Sequence, residues 1–452
     1  MTLSEKIIVP IHNVKFDSLP PQVIEKAKLC VLHSLSCAYA GIGERWSVAA
    51  RDMTQAFSPS GNASVWFSSQ KTNMADAAFT NAVYAQSILY EDIHRDSNAH
   101  PGIIIIPVAF AVSEAIGSST KETLTAIVAG YEAMAQVGRG TACPEFGARG
   151  FRPTSVIGVF GSCVTAGHLL GLTLDQQLTA FSIAASLASG INQWAIEGSD
   201  DLYIQNGNAA RGGIVAAQLA KRGVTAPKYI LEGKSGVCTA FGFSKENLQQ
   251  MRSPADHWGI LDVLYKPAPA CALVQTTAQA ALDAASTGID SEDILSGTIY
   301  TFLLGKNYAG CDYSGPFDTP LQARMSNQFN FAASLIKKEI SNRNYYDFKD
   351  KAVEQLAKKM CVAEDPDYTR AFPEKQPVRV ELIMKTGERC IFYKEEPIYL
   401  EKEDIIAKLH DHCQHSFTNR QISDIVDAVL NLERLPHVSD LLRRFEHHNA
   451  DL

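Results

Sequence analysis

Lys266-Pro267-Ala268-Pro269-Ala270-Cys271 divides the chain into two kinds of sequence. Two prolines in three residues disfavour helix and give a stiff, extended connector, a natural hinge between units. Before it, apolar residues recur at spacings of three and four over residues 20–39, 121–137, 156–170, 174–187 and 209–222, in stretches rich in Ala and Gly. Each is predicted to be a helix. After it come a helix at 273–285, then Gly297-Thr298-Ile299-Tyr300-Thr301-Phe302-Leu303-Leu304, a strand by its β-branched and aromatic content. Val378-Arg379-Val380-Glu381-Leu382-Ile383-Met384 alternates apolar and polar, and Lys385-Thr386-Gly387-Glu388 turns it into Arg389-Cys390-Ile391-Phe392-Tyr393 as a hairpin. Residues 402–445 return to amphipathic helix. The expected fold is mostly α: a large all-helical domain from residues 1–266 and 400–452, with 267–399 inserted as a smaller α+β lid domain.

Two helix starts are written in full. Ser119 and Thr120 are N-cap candidates before Lys121-Glu122, and Thr173-Leu174-Asp175-Gln176 is a capping box, with the cap hydroxyl and a Gln three residues on. Ala184-Ala185-Ser186-Leu187-Ala188 reads as the buried centre of a bundle, because small side chains let helices approach closely. Gly207-Asn208-Ala209-Ala210-Arg211-Gly212-Gly213 lacks both the preceding strand and the spacing of a dinucleotide loop, and reads as a closely packed helix start.

Composition narrows the function. The 452 residues are 46% hydrophobic with a formal net charge of -8, and the 41 Lys and Arg are scattered. That excludes a basic field for nucleic acid and favours a small-molecule substrate. The N-terminus has no basic segment leading into an apolar run, and no stretch is long enough to span a bilayer, so a soluble, cytoplasmic protein without a membrane partner is expected. The 10 cysteines are dispersed without a C-x-x-C pair and read as reduced. His410, His412, Cys413 and His415 lack the i, i+4 spacing of helical metal ligands, so no metal is expected there and the cluster reads as a solvated helix end.

Chemistry concentrates in Glu91-Asp92-Ile93-His94-Arg95-Asp96-Ser97-Asn98-Ala99-His100-Pro101-Gly102. The run lies between the small-residue helix 74–88 and the apolar segment 103–112, so its acids and imidazoles are partly desolvated and shifted toward proton-transfer chemistry. A solvated interhelical loop with a capping Asp is the other reading. No nucleophile elbow and no internal repeat accompany it.

Several separated segments carry a resemblance. Tyr90-Glu91-Asp92-Ile93-His94 with His100-Pro101-Gly102, then Gly150-Phe151-Arg152-Pro153-Thr154, Gly207-Asn208-Ala209-Ala210 and Tyr265-Lys266-Pro267-Ala268-Pro269-Ala270-Cys271 follow the order and spacing of the MmgE/PrpD family. The resemblance implies 2-methylcitrate dehydratase, cis-aconitate decarboxylase or iminodisuccinate epimerase-like chemistry, a homodimer, and a cofactor-independent site between a helical domain and a lid. By the same likeness His100, Asp92, His94 and Lys266 fall on retained catalytic positions. Departures fall at Leu89 (an Asp in the family), Ile93 (a Thr), Arg152 (a His) and Leu202 (a Lys); Phe329 stands near where an aromatic hydroxyl is expected, and Tyr203 lies beside Leu202.

A pocket for a tricarboxylate needs cations and hydroxyls around each buried charge. Leu89, Ile93 and Leu202 instead suit a substrate with fewer carboxylates and more hydrocarbon, with Arg152 as the remaining carboxylate fork. The expectation is a lyase or isomerase redirected to a bulky apolar or monocarboxylate biosynthetic intermediate. It would work through His100 as acid or base, with Lys266 stabilising charge and Asp92 orienting an imidazole, or by holding the substrate folded for a cyclisation such as a cycloaddition. An ordinary polycarboxylate enzyme and an inactive binding homologue are the alternatives. Each residue also has a structural reading: His100 and Asp92 as helix caps, Lys266 as an interdomain surface cation, Arg152 in a dimer-interface ion pair.

Overall fold

The computed structural model describes residues 1–250 and 252–448. Helices dominate. Pro21–Gly41, Met74–Gln86, Gly102–Ile116, Thr120–Gly138, Pro153–Leu169, Leu174–Leu187 and Asp201–Lys221 pack on one another around one large apolar cluster. The C-terminal helices Lys402–Cys413 and Asn419–Leu430 lie against Pro21–Gly41, and Ile405, Leu409, Ile422 and Ile425 enter the same cluster. The capping box of Thr173 with Gln176 forms as written, and of the two N-cap candidates Ser119 is the cap, in a box with Glu122, while Thr120 is the first helical residue.

Two helices begin earlier than periodicity indicates. Pro153–Leu169 starts three residues ahead of 156, because proline is pre-shaped for the first helical position and has no N–H to leave unpaired. Asp201–Lys221 runs straight through Gly207, Gly212 and Gly213, so this segment is a helix interior and not a helix start. Each glycine there costs about 1 kcal/mol of helix propensity, but allows close contact. A Cβ on Gly207 would sit 2.7 Å from the Phe79 ring, and one on Gly213 would collide with Ser162 and the Cys163 backbone.

Beyond the Lys266-Pro267-Ala268-Pro269 segment, a four-stranded sheet forms in the order Met360–Glu364, Ile294–Thr301, Val378–Met384, Arg389–Lys394. The first pair is parallel and the others antiparallel, with Gly387 in the left-handed turn conformation (φ 85°) of the predicted hairpin. The strand expected at 297–304 is shifted to Ile294–Thr301. Its pairing with the parallel neighbour ends at Thr301 and Glu364, and Gly297 lies inside the strand, where a Cβ would press on Met360. Helices Gln275–Ser286 and Asn327–Lys337 pack on each other and on this sheet. The resulting second apolar cluster also takes Trp46, Phe79, Leu89, Trp194, Leu202 and Tyr203 from the N-terminal half.

The diproline segment is a buried strap. Ala268 and Ala270 are fully buried; Gln275 accepts from the Ala268 N–H and donates to the Ala268 and Ala270 carbonyls, while Arg324 donates to the carbonyls of Ile88 and Pro269. The helix end with His410, His412 and Cys413 is only partly solvated: Cys413 is buried and His412 Nδ1 lies 3.0 Å from Ser36 Oγ. No helix among the described residues is long and apolar enough to cross a membrane.

Candidate active site

A two-strand ladder builds the centre. Asp92–His94 pairs antiparallel with Val263–Tyr265, with Asp92 opposite Tyr265 and His94 opposite Val263. Continuing that register by one residue sets Glu91 opposite Lys266, and their side chains meet at 3.0 Å. A bridge between His94 and Ala99 folds the chain back, which returns His100 to the Asp92 backbone.

His100 Nδ1 lies 2.6 Å from the Asp92 carbonyl. A carbonyl only accepts, so Nδ1 carries the proton and neutral His100 presents a bare Nε2 lone pair. That nitrogen is 3.6 Å from Glu91 Oε1. Burial pushes His100 down to about 4; Glu91 opposes the shift, while Lys266 and Arg152 add to it. The imidazole is therefore neutral at neutral pH and able to accept a proton.

Lys266 is fully buried, which removes its reading as a surface cation. Its ammonium donates to Glu91 and, at 3.0 Å, to the Ala270 carbonyl. Burial pushes the Glu91 carboxyl up, but Lys266 and His100 outweigh it and hold the group below its ordinary value. Glu91 Oε2 is buried without a hydrogen-bond partner.

Arg152 stands at the N-cap of Pro153–Leu169, beside a buried helix start whose backbone dipole is positive. It donates to the Leu202 carbonyl at 3.1 Å and Asn206 Oδ1 at 3.0 Å, lies 5.6 Å from the Trp194 ring centroid, and forms no carboxylate ion pair among the described residues. Burial pulls its pKa down to about 10, so it stays cationic.

These groups share one cavity of about 40 Å³, lined by Gln86, Glu91, Asn98, His100, Arg152, Thr154, Lys266 and Tyr308 on the polar side and by Leu89, Trp194, Leu202, Leu273 and Met325 on the apolar side. Leu89 holds a left-handed backbone (φ 55°), a conformation that costs a branched residue about 1–3 kcal/mol and is kept only where its surroundings enforce it.

Five of the residues singled out from sequence line this cavity: His100, Lys266, Arg152, Leu89 and Leu202. Five do not. The Asp92 carboxylate orients no imidazole; it accepts from the Gly102 N–H at 3.0 Å and the Tyr131 hydroxyl at 2.8 Å, fixing the start of Gly102–Ile116, while burial raises it to about 6. Only its backbone carbonyl holds His100. His94 is buried against Ser97, with burial lowering its pKa. Ile93 pairs with Leu264 in the ladder. Tyr203 stacks on Trp46 at 4.1 Å, and Phe329 is a core residue against Phe317 and Tyr345.

Glu91, Thr154, Trp194, Cys271 and Tyr308 are lining residues that sequence reading did not single out as site residues. Glu91 and Cys271 stood inside motifs already marked; Trp194 and Tyr308 carried no local signal.

The whole chain is similar to known enzymes. A cis-aconitate decarboxylase of Aspergillus terreus is 25% identical over 458 residues, covering 95% of this chain and 93% of that protein. The cis-aconitate decarboxylase of Mus musculus is 26% identical over 457 residues, covering 98% and 93%. A cis-aconitate decarboxylase-like protein of Aspergillus oryzae is 26% identical over 233 residues, half of this chain and 48% of its own. The MmgE/PrpD N-terminal domain matches residues 5–250 and the MmgE/PrpD C-terminal domain residues 268–433, and the chain is accordingly an enzyme of the MmgE/PrpD family.

Proposed function

We propose that this MmgE/PrpD lyase performs acid–base chemistry on a largely apolar acid held by one carboxylate, a redirected member of its family. The observation that carries the reading is the cavity's pairing of a buried, carboxylate-free Arg152 with a neutral His100 whose Nε2 is bare. Arg152 and the first N–H groups of Pro153–Leu169 grip the substrate carboxylate, since a guanidinium and a helix start both complement an anion. Leu89, Trp194, Leu202, Leu273 and Met325 take the hydrocarbon.

His100 Nε2 then removes a proton from carbon next to a carbonyl or carboxyl group, and the Lys266 ammonium stabilises the negative charge that develops. Positioned proton transfer contributes about 10²- to 10⁴-fold, and fixed charge stabilisation a comparable factor. The electron pair either expels a group from the neighbouring carbon or is reprotonated further along, giving elimination or a shifted double bond.

The similarity to cis-aconitate decarboxylases over nearly the whole chain favours a second reading, a polycarboxylate substrate. Proton NMR in deuterated water separates the two. The protein is incubated with cis-aconitate, 2-methylcitrate and iminodisuccinate, and separately with medium-chain 3-hydroxy and unsaturated monocarboxylic acids. Deuterium uptake or turnover of the monocarboxylates, lost in His100→Ala, is expected. Turnover of the polycarboxylates alone would overturn the proposal in favour of the second reading. Silence of both sets in a folded protein that still binds them would favour an inactive binding homologue.

A further inference from the structure

We propose that Cys271 and Cys311 form a redox-active dithiol, a modification site that hydrogen peroxide entering the active-site cavity closes to a disulfide. Both thiols are free, and their sulfurs lie 4.0 Å apart, the one pair of cysteine sulfurs in contact among the described residues. The tertiary structure brings them together across 40 residues of chain. The Cys271 N–H donates to the Arg324 carbonyl at 3.0 Å, and the Cys311 carbonyl accepts from the Asn327 N–H at 3.0 Å, so both backbones are tied to residues 324–327. Asn327 is fixed in turn, because its side chain donates to the Gly305 carbonyl and accepts from the Thr277 hydroxyl. Disulfide sulfurs stand about 2 Å apart, so closure needs an approach of about 2 Å, a displacement on the scale of a side-chain rotation.

The two thiols are not equivalent. Cys271 lines the cavity, whereas Cys311 is fully buried and does not. The thiolate is the reacting form of a cysteine. A hydrogen bond from Cys311 holds the Cys271 thiol below its ordinary 9.0, helped by the Leu273 N–H and the Lys266 ammonium against burial. That same hydrogen bond, with burial, pushes Cys311 well above 9.0. Cys271 is thus the sulfur that is attacked first and Cys311 the one that resolves it. The Cys271 thiolate attacks one peroxide oxygen, the O–O bond breaks, and the departing hydroxide takes up the thiol's proton as water. The Cys311 sulfur then attacks the sulfenic sulfur of Cys271, the S–O bond breaks, and the oxygen leaves as a second water with the Cys311 proton. Two thiols lose two electrons, and peroxide is reduced to two waters.

The reduced full chain is treated with hydrogen peroxide at neutral pH, the remaining thiols are alkylated, and the protein is digested without reduction and mapped by mass spectrometry. A linked peptide joining Cys271 to Cys311 is expected, reversed by dithiothreitol. It should form at least about tenfold faster than Cys163 or Cys413 is oxidised, since these are buried without a second thiol and burial raises them. In Cys311→Ala, sulfenic acid should accumulate at Cys271 and be trapped by dimedone; in Cys271→Ala, oxidation of Cys311 should slow at least about tenfold. If the variants do not fold, the wild-type map decides alone. Persistence of both thiols while exposed Cys361 is oxidised would overturn the proposal. So would linkage of Cys271 or Cys311 to other cysteines, the mark of prior unfolding, or oxidation of Cys311 at the wild-type rate in folded Cys271→Ala.

Discussion

Lys266→Met tests how the buried centre is held. The variant keeps much of the side-chain volume but leaves Glu91, 3% exposed, without its cation. Breaking a buried pair by removing one partner typically costs about 3–5 kcal/mol. The structure sets a ceiling within that range. The Ala270 carbonyl, which also loses a donor, still accepts from Gln275 Nε2 at 3.2 Å, so the loss falls mainly on Glu91. Stranded Glu91 can escape by taking up a proton. From the ordinary carboxyl value of 4.5, neutralisation at pH 7 costs about 3.4 kcal/mol, at 1.36 kcal/mol per unit.

The sign of the pH dependence follows. In the wild type Glu91 is depressed, so its stabilisation is present above the ordinary carboxyl range and lost as pH falls. In the variant burial acts unopposed by Lys266 and raises it, so stability is lost as pH rises. The deficit should therefore be about 3 kcal/mol at pH 7 and shrink by roughly 1.4 kcal/mol per pH unit toward pH 5. Urea unfolding followed by tryptophan fluorescence at several pH values measures it, and the double variant Lys266→Met with Glu91→Gln should recover most of the loss. A deficit below about 1 kcal/mol at pH 7, or a double variant no better than the single one, would refute the account.

Three further outcomes are expected. Arg152→Met should weaken hexanoate binding roughly 10- to 100-fold by calorimetry, as hydrogen bonds to a charged group contribute about 1.5–3 kcal/mol. Because burial holds His100 near 4, proton exchange or turnover that depends on it should stay level across neutral pH and decline only as pH falls toward about 4; the same depressed value makes His100 subtract stability between its ordinary 6.5 and about 4, visible as a falling unfolding midpoint on acidification. Gly213→Ala should destabilise by about 1–3 kcal/mol in urea unfolding, since the new methyl would collide with Ser162 and the Cys163 backbone where two helices cross.

The helices were the legible part of this chain. Leu174–Leu187 has the bounds its capping box and periodicity predict, and the hairpin at Gly387 follows from alternation and one glycine. Misreadings came where tertiary contact overrides local preference: the glycines of Asp201–Lys221 weaken a helix in isolation, yet let it lie against Phe79 and Ser162. At the candidate site, His100, Lys266 and Arg152 stand in family motifs and line one cavity. Asp92 and His94 belong to the same motif but turn toward Tyr131 and Ser97, and no pattern within a dozen residues distinguishes a carboxylate that faces a cavity from one that caps a helix. The importance of Glu91 could not be read locally at all, because its partner is chosen by a strand register set far along the chain.

That distant register also orders events during synthesis. The strand Asp92–His94 has no partner until Val263–Tyr265 has left the ribosome, and the Tyr90 hydroxyl finds the Pro267 carbonyl across 177 residues of chain. Closing so long a loop adds little entropy cost over a shorter one, so completion is delayed more than it is weakened. A nascent chain that stops short of residue 263 already carries His100, Arg152 and Glu91 but not Lys266, the cation that Glu91 meets in the folded protein. The Glu91–Lys266 pair thus forms only once the second half of the sequence has joined the first.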